Sequence, residues 1–336
     1  MTERARLIEA FLAAAGWGTA QRRVLAADAS FRRYERLSRD GETAVLMDAP
    51  PPHENVAAFN RIARQLLDLG LSAPRPFAVD EAAGLMLLED LGDKTFTRAL
   101  ADNTDERQLY PLAVDVLIAL HRAWQPDSAP ALPPYDDTRL LDEALLLPDW
   151  ALPAVHGKKM AAEARDAYIA AWRAVLPRAS AVPDCLVLRD YHVDNLMLLD
   201  DRASTAACGL LDFQDAVIGP RSYDLVSLLE DARRDIAPDL AAAMVEHYLA
   251  AFPDLDRAAF LDSYAVLGAQ RAAKIIGIFT RLDQRDGKPL YLRHIPRVWR
   301  LLQADLAKPV LAPVQAWFDR HVPAADRIAP APKDNL

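Results

Sequence analysis

Leu188–Asn195 reads LRDYHVDN, and a second stretch, LLDFQDAVIGPRSYDL, begins at Leu210 and carries Asp212. Asp190 and Asn195 stand five positions apart on what reads as a loop between apolar runs, and Asp212 ends the apolar run before it. Two carboxylates and an amide at strand ends do nothing for a core. They are the groups that phosphoryl transfer requires: a carboxylate that accepts a hydrogen bond from the attacking hydroxyl, and hard oxygen ligands suited to Mg²⁺. Asp190 is the candidate base, and Asn195 and Asp212 are the candidate metal ligands. The structural alternative has Asp190 and Asn195 making turn or capping hydrogen bonds while Asp212 merely closes a strand. A carboxylate and an amide at this spacing are common by chance. Followed by LLDF and GPRSYDL at this separation, they form a specific pattern. Asp224 in the second stretch reads as a buttress or a helix cap, not as a chemical group.

Elements must position these groups. With 336 residues the chain can build two lobes with sizeable cores. A net charge of −9 argues against nucleic-acid binding, since phosphate backbones repel an acidic chain. Cys185 and Cys208 sit in apolar surroundings and give no disulfide framework. The start, MTERARLIEAFLAAAGWG, is an amphipathic helix stopping at Gly16, and no run reaches ~18 apolar residues, so the expectation is a cytoplasmic protein without a membrane segment.

Strands are expected next, with a hairpin turn at Asp40-Gly41, then a helix over ENVAAFNRIARQLLDLG, then two short strands ending in LMLLED. From Lys94 helical patterns dominate, apart from a small hairpin of NLMLLDD and ACGLLDF. Pro126–Pro134 reads as a surface connection. This gives an α+β chain with a small β-containing lobe over residues 1–88, a hinge at 89–93 and a mainly helical lobe over 94–336. Trp172, Trp299 and Trp317 fall at helical spacing in apolar stretches and read as core.

The small β lobe, LLEDLG, the Asp-x4-Asn loop and the following apolar-Asp-Phe resemble the aminoglycoside phosphotransferase/choline kinase-like family, distant kin of the protein kinases. The resemblance covers about Asp28 to Trp299 and implies a bilobal protein-kinase-like fold that uses ATP and Mg²⁺. It implies that Glu89 and Leu91 offer backbone groups to the adenine edge; a strand and turn with no ligand is the alternative. No G-x-G-x-x-G is present, so DASFRRY stands in as the phosphate loop, with Ser30 and nearby N–H groups facing phosphates. Met47 occupies the place of the phosphate-binding lysine. Arg32 and Arg33 are candidates for the missing charge, since alternation turns one of them inward; otherwise they are a solvated edge. Leu188 stands where the family has a histidine.

The acceptor is read from charge. Between Arg271 and Arg300 stand eight Lys/Arg against Asp283 and Asp286, a basic island in an acidic chain. Such an island suits an anionic or polar uncharged acceptor better than a cationic one. Arg271 and Lys274, three apart, share a helix face, and one of them is expected to meet a substrate carboxylate or sugar polar group; a solvated face or an ion pair is the alternative. Asp93 is a candidate for a sugar hydroxyl. FRRY, MDAPP, LLEDLGD, RDYHVDNLM and KIIGIFTRLDQRDGKPLYL resemble a narrower branch, the anomeric N-acetylmuramate/N-acetylglucosamine kinases of cell-wall recycling. That branch shares the methionine, and it implies a sugar 1-phosphate product passed to a nucleotidyltransferase. The alternatives are a kinase for another small hydroxyl acceptor, such as an aminoglycoside, choline-like alcohol or amino acid, and a nucleotide-binding pseudokinase.

Overall fold

Along Glu42–Asp48, Ala44, Leu46 and Met47 are buried, so the strand's second half is covered on both faces, and the neighbouring Leu85–Glu89 is apolar on both faces. Such stretches satisfy their backbone only by pairing, and they do. The computed structural model describes residues 2–25, 32–52, 54–125 and 132–333. Ser30, expected at the phosphates, lies outside them, as does most of Pro126–Pro134.

In chain order the elements are α1 (Glu3–Ala14), β1 (Gln21–Val24), β2 (Arg33–Arg39), β3 (Glu42–Asp48), α2 (Val56–Asp68), β4 (Pro76–Asp80), β5 (Leu85–Glu89), α3 (Phe96–Ala101) and α4 (Glu106–Ala123). Then come α5 (Asp137–Ala144), α6 (Leu152–His156), α7 (Ala162–Ala179), β6 (Asp184–Val187), β7 (Leu196–Leu198), β8 (Cys208–Leu210) and β9 (Val217–Pro220). Helices α8 (Tyr223–Leu229), α9 (Pro238–Ala250), α10 (Arg257–Asp286), α11 (Ile295–Leu306) and α12 (Ala312–His321) complete the chain. Among the described residues no helix is long and apolar enough to cross a membrane.

By packing the chain forms two units, Met1–Ala123 with Val193–Ala216, and Trp124–His192 with Val217–Leu336. This differs from lobes divided at residues 89–93. Helices α3 and α4 and the β7–β8 hairpin go with the N-terminal sheet, because Leu198 N–H donates to the Lys94 carbonyl (2.8 Å) and Arg202 reaches Glu89 (2.5 Å).

In the first unit an antiparallel sheet runs β1-β2-β3-β5-β4. The β2–β3 turn is the expected Asp40-Gly41, both at positive φ (51° and 85°), the combination that matches strand twist. Ile8, Leu12 and Trp17 pack with Leu37, Ala44, Leu46, Leu85 and Leu87 into one core. Alternation turns Met47 and its cross-strand partner Met86 to the other face, where both are buried. Thr2 caps α1 by accepting from Ala5 N–H, and Asn55 caps α2 in the same way.

The second unit is helical around α10, and Trp172, Trp299 and Trp317 are all buried in it. Gly277 explains how closely α10 approaches its neighbour: a Cβ there would overlap the carbonyl carbon and oxygen of Leu146. Helix propensity alone would favour Gly277→Ala by ~1 kcal/mol. Backbone cannot swing aside as a side chain can, so the exchange is expected instead to destabilise by roughly 1–3 kcal/mol. Urea unfolding of the variant measures the sign, and a stabilised protein would contradict the packing described.

Candidate functional site

The functional side chains fall into two groups, one in each unit. In the first unit, β7 and β8 bring the two proposed metal ligands together. Asn195 precedes β7, Asp212 follows β8, and Leu211 N–H donates to the Asn195 carbonyl at 2.9 Å. Asp212 sits at φ 58°, a left-handed conformation that aspartate tolerates better than most residues. Its carboxylate accepts from Gln214 (2.9 Å) and from Arg32 (3.2 Å). Arg32 is buried and also faces Glu54 at 3.5 Å, just ahead of α2, whereas Arg33 is exposed on β2. Of the two arginines, only Arg32 joins the candidate ligands. Met47 is buried and plays no part in charge.

The segment after β5 is clamped by Arg36. Its guanidinium meets Asp90 at 2.7 Å and Asp93 at 2.6 Å, and donates to the Gly92 carbonyl at 3.0 Å. The hydrogen bond from Arg36 holds the Asp93 carboxyl below its ordinary value, so Asp93 is committed to this clamp. The Glu89 carboxylate turns to Arg202, and Leu91 is half-buried.

The second unit holds Asp190. Leu188 N–H (2.7 Å) and Arg189 N–H (2.9 Å) both donate to the Asp224 carboxylate, which is buried at the start of α8. Arg189 has φ 72°, strained for a long side chain, and these two bonds hold it. Burial pushes the Asp224 carboxyl up to about 7 although the two N–H groups pull it down.

Asp190 follows with its side chain exposed. The dense surroundings work to raise its carboxyl, but the positive charge of Lys274, then of Arg271 and Arg189, outweighs them and holds it below the ordinary value. It is ionised at neutral pH and reachable by a hydroxyl.

Arg271 and Lys274 are both buried on α10. Arg271 donates to the Ser227 hydroxyl at 2.8 Å. Lys274 faces Glu143 at 3.0 Å, with the Tyr135 and Tyr223 hydroxyls at 3.5 and 3.4 Å. Glu143 is the hub: it also meets Arg189 at 2.6 Å and accepts from the Tyr135 hydroxyl at 2.5 Å. Burial would raise its carboxyl, yet Lys274 and Arg189 hold it below the ordinary range.

Glu143, Tyr135 and Glu54 are residues that sequence reasoning missed. In DEALLL a glutamate on an amphipathic helix looks like any solvated acid. Glu54 sat in a stretch read only as a helix start.

Two outcomes test this geometry. Glu143→Gln strands two buried cations and should cost roughly 3 kcal/mol. Adding Lys274→Met should restore part of that, so the double variant loses less than the sum of the singles in urea unfolding; additive losses would dissolve the pair. Asp224 sets the second. Its folded value lies above that of an unfolded aspartate, so its contribution is complete below about pH 4 and lost as pH rises to about 7. Thermal stability should therefore fall from pH 5 to 8. The fall should be shallower in Asp224→Asn, and what persists belongs to the buried pair Glu230 and Asp305, whose carboxyls burial also raises. An identical slope in both proteins would remove Asp224 from the titration.

With this geometry in hand, comparison places the chain among known proteins. A model of the phosphotransferase enzyme family matches residues 21–261. An N-acetylmuramate/N-acetylglucosamine kinase of Caulobacter vibrioides is 40% identical, covering 97% of this chain and 99% of the relative. One of the same description from Pseudomonas aeruginosa is 38% identical over 89% of each. The solved streptomycin–ATP–APH(2″)-IIa ternary complex superimposes with a TM-score of 0.58 at 16% identity, over 90% of this chain and 97% of that one, which carries the expected α+β, protein-kinase-like fold. The chain belongs to the phosphotransferase enzyme family.

Proposed function

We propose that this protein transfers the γ-phosphoryl group of ATP to the anomeric hydroxyl of N-acetylmuramate and N-acetylglucosamine. The observation that carries this reading is Asp190, an exposed and ionised carboxylate on a loop fixed by Asp224, in a chain close to kinases of those two sugars. An anomeric hydroxyl is more acidic than a ring hydroxyl, because the ring oxygen withdraws electrons. A low-pKa aspartate therefore suffices as base: it accepts the hydroxyl hydrogen bond, aims the oxygen at phosphorus, and takes the proton late in a loose transition state. Arg271 and Lys274 act by keeping Asp190 ionised, Lys274 through its seat on Glu143.

Backbone groups of Glu89 and Leu91, on the segment clamped by Arg36, meet the adenine edge. Arg32 supplies the charge that Met47 cannot, and its contact with Glu54 resembles the lysine–glutamate pair that steadies phosphates in protein kinases. Asn195 and Asp212 offer a two-member oxygen set of the kind that Mg²⁺ uses when phosphates complete its shell. Bound there, the ion would offset charge on the transferring phosphate. A sugar 1-phosphate suits a following nucleotidyltransferase in peptidoglycan recycling, and ATP dependence suits the cytoplasm.

The test is phosphate transfer from ATP to each sugar, with the product phosphate located by NMR. Asp190→Asn should lower turnover by at least ~10²-fold while nucleotide binding is kept. Undiminished turnover removes Asp190 from the mechanism, and transfer only to other hydroxyl compounds replaces the acceptor.

A further inference from the structure

In a chain of net charge −9, acids outnumber the cations they can meet, so an arginine left without one stands out. Two such arginines flank the connection from α2 to β4 in the first unit. Arg64 lies near the end of α2, and Arg75 immediately precedes β4; both side chains are exposed. Arg64 gives its Nε–H to Asn60 one turn earlier, at 3.0 Å, and keeps both Nη groups. Among the described residues the Arg75 guanidinium has no hydrogen-bond or ion-pair partner.

Both line one cleft of about 650 Å³, together with Arg202, Asp68 and the apolar Leu67 and Leu71. That volume is within the range of small-molecule sites. Every residue lining it belongs to the first unit, and none belongs to the ATP or sugar sites proposed above.

The walls of the cleft are fixed by hydrogen bonds. Ser72 is buried; its hydroxyl donates to the Ala206 carbonyl at 2.7 Å and accepts from Arg202 at 2.9 Å. The other arm of the Arg202 fork holds Glu89 at 2.5 Å, so Arg202 is spent. Arg75 is pinned through its backbone: its N–H donates to the Glu89 carboxylate at 3.3 Å, and its carbonyl accepts the Glu89 N–H at 2.8 Å. The Gln65, Leu66 and Leu67 carbonyls at the end of α2 accept from the N–H groups of Leu69, Leu71 and Gly70, so this helix end presents few bare acceptors that would repel an anion.

Two unmatched arginine forks against one carboxylate, Asp68, leave the cleft positive and rich in donors. A phosphate group suits them better than a carboxylate, because its oxygens point in more directions and can meet both forks at once. Phosphate alone would leave most of the volume empty, and Leu67 and Leu71 offer an apolar surface to whatever carries it.

We propose that this cleft is a second ligand site, which binds a small phosphorylated organic molecule with its phosphate on Arg64 and Arg75 and its organic part against Leu67 and Leu71. A nucleotide and a sugar phosphate share that chemistry, and the experiment separates them.

Binding of ADP, N-acetylglucosamine 1-phosphate, inorganic phosphate and unphosphorylated N-acetylglucosamine is measured by titration calorimetry. The proteins are the unaltered chain, the double variant Arg64→Gln/Arg75→Gln, and Arg61→Gln, on the same helix but outside the cleft. A ligand held only elsewhere is indifferent to the double exchange. For ADP or the sugar phosphate the double variant should weaken a binding event at least ~10-fold, the scale of one lost charge-assisted contact. Loss with ADP names a nucleotide as the occupant, and loss with the sugar phosphate names a phosphorylated sugar. Arg61→Gln and the unphosphorylated sugar should show no change. Unaltered affinity for both organic phosphates in the double variant overturns the site, and so does an equal loss in Arg61→Gln, which would mean diffuse attraction. In the unaltered protein the same ligand should protect Arg75 from phenylglyoxal; absence of protection overturns the site without any substitution. Binding is read without turnover, so the result stands whether or not either sugar is phosphorylated.

Discussion

The two hydrogen bonds from Leu188 and Arg189 N–H to the Asp224 carboxylate are the constraint on which the second unit's chemistry hangs. A buried carboxylate is costly unless donors meet it, and these two backbone groups need an acceptor as much as the carboxylate needs them. Their joint solution holds Arg189 at φ 72°. That turn sends the Arg189 side chain to Glu143 and leaves Asp190 exposed. Glu143 then holds Lys274, whose charge keeps Asp190 ionised. One buried aspartate at the start of α8 thus governs, through alternating charges, the state of a carboxylate that it does not touch.

The same alternation appears in the first unit. Arg32 lies between Glu54 and Asp212, and Arg36 between Asp90 and Asp93. Neither arrangement is a good argument for stability, because desolvation of paired charges cancels much of their attraction. Their use is positional. An arginine fork meeting two carboxylates fixes both directions at once, which a flexible lysine would do less well. That bears on Met47: once a buried arginine from the preceding segment serves the same acids, the strand position is free to fill the sheet's apolar face with Met86.

Much of this was legible in the sequence because it is local. The Asp40-Gly41 turn, the stop at Gly16, the β7–β8 hairpin and the three buried tryptophans follow from periodicity and turn chemistry within a few residues. Asp190, Asn195 and Asp212 stood out because polar groups at strand ends have no role in a core. What was not legible is pairing across distance. Glu143 meets Lys274 across 131 positions, and Arg32 meets Asp212 across 180. Nothing in the residues around Glu143 distinguishes it from a solvated glutamate; only the tertiary fold brings two cations and a tyrosine to it. The division into units was hidden for the same reason, since the chain leaves the first unit at Trp124 and re-enters it at Val193.

The basic island shows how far a charge count can carry an argument. Its eight cations against two acids set an expectation of positive charge, but a count cannot say which charges are spent. Lys274 is neutralised by Glu143, and Arg297 and Arg300 share Asp235. The partners of these three lie outside the island, on α5 and in the bend before α9, so part of the local excess is balanced in three dimensions. A site that handles ATP and an anionic sugar needs that balance. Cations left uncompensated near Asp190 would bind either anion tightly in its ground state, and such uniform binding does not speed the chemical step. Cations held by protein carboxylates keep the field that ionises Asp190, while limiting how strongly a substrate is trapped before it reacts.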